Sequence, residues 1–270
     1  MNPDFFNELA KRLEHQKTVA LVTVTQVKGS APVAPWTVMA VFRDGSILGT
    51  VGGGRAEHLL IERSVEAMGA GESFSFEYPL TPEEGFACGG SISGNVNIFM
   101  NNRLILFGAG HVCRAVAAAA AALEFDVYVV DDREELRAHP SLSAVSGYLC
   151  CTPGQAFEQL GCGEDSYIVI ATRGHEQDLQ ALREAIRYPA AYIGMIGSRR
   201  KVAQVFGSLR AEGAGETALA RVYAPVGLDL DDGSPAEIAV SILAEVLAAK
   251  NRGSAVHMRD KPNTAAEGDA

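Results

Sequence analysis

A chain of 270 residues, 47% hydrophobic and 21% charged, is long enough for two domains and has the balance of a soluble globular protein. Its formal net charge of −10 argues against a nucleic-acid-binding surface, which needs a basic face or stripe. No run approaches the roughly 18 to 20 apolar residues that span a bilayer, and five cysteines in a chain this size suit a reducing compartment better than a disulfide framework.

Residues 1–16 interleave Asp4, Glu8, Lys11, Arg12 and Glu14 with apolar side chains. That pattern predicts an amphipathic helix, with Asn2 as cap and Pro3 in its first turn, and not a secretory leader; a cytoplasmic location is the expectation. Strands are expected at 18–27, 37–43 and 46–50, with Asp44-Gly45 as a hairpin turn, then a helix over 55–68 and strands at 73–78 and 95–100. Gly52-Gly53-Gly54 falls at the strand-to-helix corner. Three glycines in a row imply a backbone need: either an anion held by the helix amides with Arg55 as ion partner, or a tight corner with unusual dihedrals. Farther on, 81–84 reads as a short helical turn before Cys88-Gly89-Gly90, where little bulk surrounds the sulfur and amides. Such a thiol can meet a reactive group or soft metal, or be a buried structural cysteine beside a turn.

From Arg103 onward the pattern alternates strand and helix, with strands expected at 103–107, 126–131, 146–150, 166–171 and 191–195. Gly108-Ala109-Gly110 breaks the first strand and leads into an alanine-rich helix from His111, and Asp131 ends the second strand. This is the first half of a Rossmann βαβ: Gly108 for the turn, Gly110 for close approach of a pyrophosphate, Asp131 where a ribose diol is read. Cys113 stands at the third small position, so helix-strand packing survives. Open parallel sheets bind ligands at the carboxyl ends of their strands. His111, Arg173, His175 and the Ser198-Arg199-Arg200-Lys201 run fall at such ends, the last offering a phosphate site or a solvated basic helix face. Cys150, Cys151 and Cys162 lack metal-ligand spacing and read as packing residues. Thr152-Pro153-Gly154-Gln155 and Ser234-Pro235-Ala236-Glu237 each supply a cap, an N1 proline and a capping-box partner; the second opens a final helix to about Lys250. The class is therefore α/β: a small mixed α+β N-terminal domain over 1–101, a Rossmann-like parallel-sheet domain over 102–251, and a disordered tail over 252–270.

Taken in order, Gly29-Ser30-Ala31-Pro32, the 49–57 run with its triple glycine, Cys88-Gly89-Gly90, the 107–111 turn, Val130-Asp131-Asp132-Arg133, the 172–175 loop, the 194–201 run and the 225–229 loop with 235–245 resemble the XdhC/CoxI family of accessory proteins for molybdenum hydroxylases. The likeness covers nearly the whole chain. It implies a protein that binds molybdenum cofactor (molybdopterin), protects it during sulfuration by a cysteine desulfurase and helps insert it into a molybdenum hydroxylase such as xanthine dehydrogenase. A cofactor chaperone is implied, not a turnover enzyme. On that resemblance Cys88 contacts the molybdenum-sulfur centre, and Gly52, Gly53, Gly54, Gly89, Gly90, Gly108, Gly110, His111, Asp131, Arg173, His175, Ser198, Arg199 and Lys201 bind the cofactor. Hydroxylase and desulfurase are the implied partners, with self-association as a homo-oligomer. Two other readings stand beside it: an NAD(P)-dependent oxidoreductase, from the βαβ fingerprint, and an interaction scaffold whose Rossmann site has decayed, from Cys113. The chain departs from the family after Pro32, where Val33-Ala34-Pro35-Trp36 replaces an arginine followed by a glycine and removes a cation suited to phosphate.

Overall fold

The computed structural model describes residues 3–13, 18–80, 89–123, 125–230 and 233–261. Asn2, the 81–84 turn and Cys88 lie outside the described residues. The chain divides into two compact units, Met1–Asn101 and Asn102–Ala270.

The first unit runs α1 (Pro3–Leu13), β1 (Thr18–Lys28), β2 (Val38–Phe42), β3 (Ile47–Gly49), α2 (Gly54–Ala70), β4 (Phe74–Pro79) and β5 (Ser91–Met100). Its strands form one antiparallel sheet in the order β3-β2-β1-β5-β4. Alternation along β1 sorts the side chains to two faces. Ala20, Val22 and Val24 share a core with Leu60 and Met68 of α2. Val19 and Leu21 cluster instead with Phe5, Leu9 and Leu13 of α1. β5 begins at Ser91, four residues before the expected start. Ser91-Ile92-Ser93-Gly94 has little strand propensity of its own, but it pairs with the far end of β1 across a bulge and with β4 on its other side.

The second unit runs β6 (Arg103–Phe107), α3 (His111–Ala120), β7 (Asp126–Val130), β8 (Gly147–Leu149), α4 (Pro153–Leu160), β9 (Ser166–Ile170), α5 (His175–Ala185), β10 (Tyr192–Met195), α6 (Arg199–Ala211), α7 (Glu216–Ala220), β11 (Val222–Tyr223) and α8 (Pro235–Lys250). All its strand pairs are parallel, in the order β8-β7-β6-β9-β10-β11. This is the doubly wound Rossmann order, and the α/β class read from the sequence is the one observed. Successive strands are added on one side of β6 as far as β8 and on its other side from β9, which makes the crevice beyond the carboxyl ends of β6 and β9 the natural ligand position. Leu104 and Leu106 pack towards α3 and α8 through Cys113, Val116, Ile242 and Val246. Ile105 and Phe107 pack towards α4, α5 and α6 through Phe157, Leu182 and Val205.

Both expected capping boxes are formed, by Thr152 with Gln155 and by Ser234 with Glu237. Two short 3-10 turns, Glu134–Leu136 and Pro140–Leu142, connect β7 to β8. β11, two residues long, has no sequence signal and exists through its pairing with Ile193 and Gly194. After α8 the chain continues in turns, with a 3-10 turn at Met258–Asp260. Among the described residues no helix is long and apolar enough to cross a membrane.

At the amino ends of β6 and β9, Arg103 and Asp165 form a nearly buried ion pair, Nη2 to Oδ1 2.9 Å, and Arg103 Nη1 also donates to the Leu160 carbonyl at 2.5 Å. Removing one partner of such a pair leaves the other charge without compensation. Arg103→Ala is expected to destabilise the second unit by about 3–5 kcal/mol, read as a shifted urea midpoint.

Candidate functional site

In the first unit the glycine-rich loops gather at one end of the sheet. A side chain at Gly52 would strike Pro32 and Val33, and one at Gly90 would strike the carbonyls of Lys28 and Ser30, so residues 29–33, 50–54 and 89–90 lie together. Gly52, Gly53 and Gly54 have φ of 106°, 72° and 70°. The triple glycine thus answers a need for left-handed backbone. Glu57, in the first turn of α2, reaches back over this corner. Its Oε2 accepts from the amides of Val51 at 2.9 Å and Gly53 at 3.2 Å, and from the Thr50 hydroxyl. A carboxylate of the chain itself thus sits at this corner, where the helix dipole favours negative charge. Arg55 is exposed. In the loop that departs from the family pattern, Trp36 holds φ of 68° with 68% of its surface exposed, a conformation that favours glycine.

In the second unit Gly108 has φ of 113°, and any side chain there would run into the Ala171 carbonyl. Gly110 caps α3 and faces open space, with nothing within 4 Å of where a Cβ would stand. Cys113 fills the third small position. Its Sγ lies 3.7 Å from the carbonyls of both Phe107 and Ala171. Burial, reinforced by the charges of Asp131 and Asp178, pushes this thiol up to about 12, so it packs rather than reacts.

Asp131, expected to read a ribose, is engaged on every side. Oδ2 accepts from the Ala109 amide at 2.7 Å and Arg133 Nη2 at 2.8 Å; Oδ1 accepts from the Arg133 amide at 3.0 Å and Arg133 Nε at 2.8 Å. Four donors fill the four acceptor positions of a carboxylate. Burial alone would raise this carboxyl, but the Arg133 side-chain bonds, the two amides and the Arg133 charge hold it below its ordinary value. Asp178, fully buried, bonds the Thr172 amide at 3.0 Å and hydroxyl at 2.7 Å and pairs with Lys201. Lys201 therefore serves the fold of this edge. Ser198 caps α6, accepting from the Lys201 amide at 3.3 Å. Arg173 and Gln177 converge on Asp132 Oδ2, at 2.7 and 3.1 Å. His111, His175 and Arg199, each opening a helix at this edge, are exposed.

Between β6, β7 and the starts of α4 and α5 lies a crevice. Phe107, Val130 and Pro153 give it apolar walls, while Asp131, Asp132, Thr172, Gln177 and Gln180 bring polar groups. Of the residues proposed from sequence, Gly108 and Asp131 line it. Gln177 and Gln180 were missed, because they lie on α5 beyond its loop and no motif marks them, while Asp132, within the Val130-Asp131-Asp132-Arg133 run, was not singled out as a site residue. Cys151 lines it too and packs on the core with Cys162, as expected of packing residues. Cys150 instead is exposed, because β8 is an edge strand that ends at Leu149. Among the described residues no group of three or more His, Cys, Asp or Glu is placed to hold a metal ion.

A family model described as the XdhC Rossmann domain matches residues 104–246, and one described as the XdhC and CoxI family matches 12–79. The chain belongs to the XdhC/CoxI family. It is 38% identical over 256 residues to the uncharacterized protein YqeB of Escherichia coli K12, covering 92% of this chain and 46% of that one. It is 28% identical over 154 residues to a Bacillus subtilis 168 protein described as a probable xanthine dehydrogenase subunit, covering 57% of this chain and 44% of that one. The chain thus spans less than half the length of these curated relatives. A crystal structure of a Bacillus halodurans protein described as a xanthine dehydrogenase shares the fold, with a TM-score of 0.50 and 18% identity over 94% of this chain and 97% of that one.

Two acids of this XdhC/CoxI chain give direct tests. Asp131→Asn is expected to cost about 1–3 kcal/mol at pH 7. A carboxyl held below 3.8 contributes its full stability above that value and loses it as pH falls through the lower, folded one. The gap between wild type and Asp131→Asn should therefore close below about pH 3.8 in acid unfolding curves. Glu57→Ala should lower the thermal stability of the first unit by about 1–3 kcal/mol, with Glu57→Gln recovering part of it, since an amide oxygen still accepts from Val51 and Gly53.

Proposed function

We propose that this protein is a maturation factor for a molybdenum hydroxylase of the xanthine dehydrogenase type, and that it binds molybdenum cofactor, protects it during sulfuration by a cysteine desulfurase, and helps insert it into the target. Support comes from membership of the XdhC/CoxI family and from a relative named as part of a probable xanthine dehydrogenase. The single observation that carries the cofactor reading is the open N-terminus of α3. Gly110 leaves free space in front of the first helix amides, beside exposed His111, and this suits the phosphate of a pterin cofactor. Arg199, exposed at the start of α6, is a second group for that anion. Gly52, Gly53 and Gly54 are assigned a different part from phosphate binding: with Glu57 on the Val51 and Gly53 amides, they shape the loop cluster beside Gly89-Gly90. Cys88 is assigned, on its sequence context, to contact the soft molybdenum-sulfur group. When bound, the cofactor supplies the redox-active metal that the target hydroxylase uses; this chain's part is to hold and shield it.

The competing reading, an NAD(P)-dependent oxidoreductase, is favoured by the Rossmann strand order and the glycine turn. Against it stands Asp131, whose acceptors are filled by Arg133 and two amides, leaving none for a ribose diol.

Anaerobic equilibrium binding of molybdenum cofactor to the purified protein, run beside NAD and NADP and read by metal analysis and absorbance, decides between them. Stoichiometric molybdenum binding that weakens in Cys88→Ala is the expected result. Dinucleotide binding without molybdenum would replace this function with the oxidoreductase.

A further inference from the structure

We infer that the crevice between β6, β7, α4 and α5 takes a planar 2-amino-4-oxopyrimidine ring, the edge shared by pterins and guanine, read by Asp132, Gln177 and Gln180. This inference deepens the cofactor reading above and rests on it for one point only, the choice of a pterin as the natural source of the ring.

Charge comes first. Three basic side chains at the carboxyl edge are matched by carboxylates: Arg133 by Asp131, Arg173 by Asp132, Lys201 by Asp178. Among the described residues the lining itself contributes two acids and no basic residue. An anionic group is therefore poorly served inside the crevice, and phosphate is left to the open helix start at Gly110. A neutral ring rich in N–H groups is served well.

The hydrogen-bonding capacity left over has a definite pattern. Asp131 has none to give, being bonded by four donors. Asp132 receives Arg173 and Gln177 on Oδ2 alone, so Oδ1 is open to a donor. Gln177 spends one of its two amide N–H groups on that same oxygen, which leaves its Oε1 as a second acceptor beside one remaining N–H. Gln180, exposed on the next turn of α5, can donate from its amide. Two acceptors beside one amide donor complement the two adjacent N–H groups and one carbonyl of a 2-amino-4-oxopyrimidine edge. Each edge of adenine presents a single amino N–H beside one ring-nitrogen acceptor, and would leave an acceptor of this set without a partner. Phe107, Val130 and Pro153 supply flat apolar contact for the ring faces.

The test is equilibrium binding of 6-hydroxymethylpterin, followed by quenching of its own fluorescence, with guanosine, adenosine and NAD as calorimetric or competing ligands. The full-length wild type is compared with Asp132→Asn and Gln180→Ala, two substitutions at exposed or half-exposed side chains whose folding is checked by thermal melts. The expected result is that 6-hydroxymethylpterin, guanosine or both bind more tightly than adenosine and NAD, and that Asp132→Asn weakens that binding about tenfold or more. Preference between the two rings then names the source of the edge. Tighter binding of adenosine or NAD, or ring binding unchanged in both variants, overturns the inference. Its failure is separable from failure of the cofactor role. Molybdenum cofactor bound equally by wild type and Asp132→Asn sinks the crevice assignment and leaves the role standing. Ring binding by a protein that takes up no molybdenum sinks the role and leaves the crevice assignment standing.

Discussion

The carboxylate of Asp131 is the tie on which the Rossmann edge depends. A glycine turn is a soft element, since φ of 113° at Gly108 is one of many conformations open to that residue in a free chain. By accepting from the Ala109 amide, Asp131 fixes the turn to the end of β7, and by taking the Nε and Nη2 donors of Arg133 it fixes the path that leaves β7. The Tyr148 hydroxyl then donates to the Arg133 carbonyl at 2.5 Å, which ties β8 to the same knot. Direction of α3, shape of the crevice and local charge all follow from this one buried group.

The same device recurs at two other corners. Asp178 bonds the Thr172 amide where β9 gives way to α5, and Glu57 bonds the Val51 and Gly53 amides where β3 gives way to α2. In each case an acid from the chain satisfies amides that a strand-to-helix corner leaves free. Loops fixed in this way lose little further conformational freedom when a ligand arrives, which favours binding. At these corners the amides of Val51, Gly53, Ala109 and Thr172, and the cations Arg133 and Lys201, are already occupied by carboxylates. Open amides remain at α3, and open acceptors at Asp132 and Gln177.

Packing in the first unit puts a different constraint on its loops. Gly90 lies so close to the Lys28 and Ser30 carbonyls that the 89–90 segment and the 29–33 loop form one surface, with Pro32 against Gly52. Motifs about sixty and twenty residues apart in sequence are thus neighbours, as strand order β3-β2-β1-β5-β4 dictates. Trp36 stands in the loop where this chain departs from the family pattern. Its backbone stays in the left-handed region and bonds the Val24 carbonyl at 2.6 Å, while the indole is left in solvent. A bulky residue in that region costs about 1–2 kcal/mol.

Much of the fold was legible in local pattern. Apolar runs separated by helical periodicity placed the strands of the second unit, Gly108 and Gly110 marked the turn, and the Thr152 and Ser234 boxes marked two helix starts, because each of these signals is read within a few residues. What the sequence by itself determined was the order of the longer elements and the α/β class. Partnership was decided only by tertiary structure. That Asp131 is saturated by Arg133 and the Ala109 amide, that Lys201 answers to Asp178, that Glu57 takes the Val51 and Gly53 amides, and that Asp132 keeps one oxygen open depend on groups brought together by sheet order and helix packing. Hydrogen-bond capacity is spent on whichever neighbours the fold supplies, and neighbours distant in sequence leave no periodic trace in it.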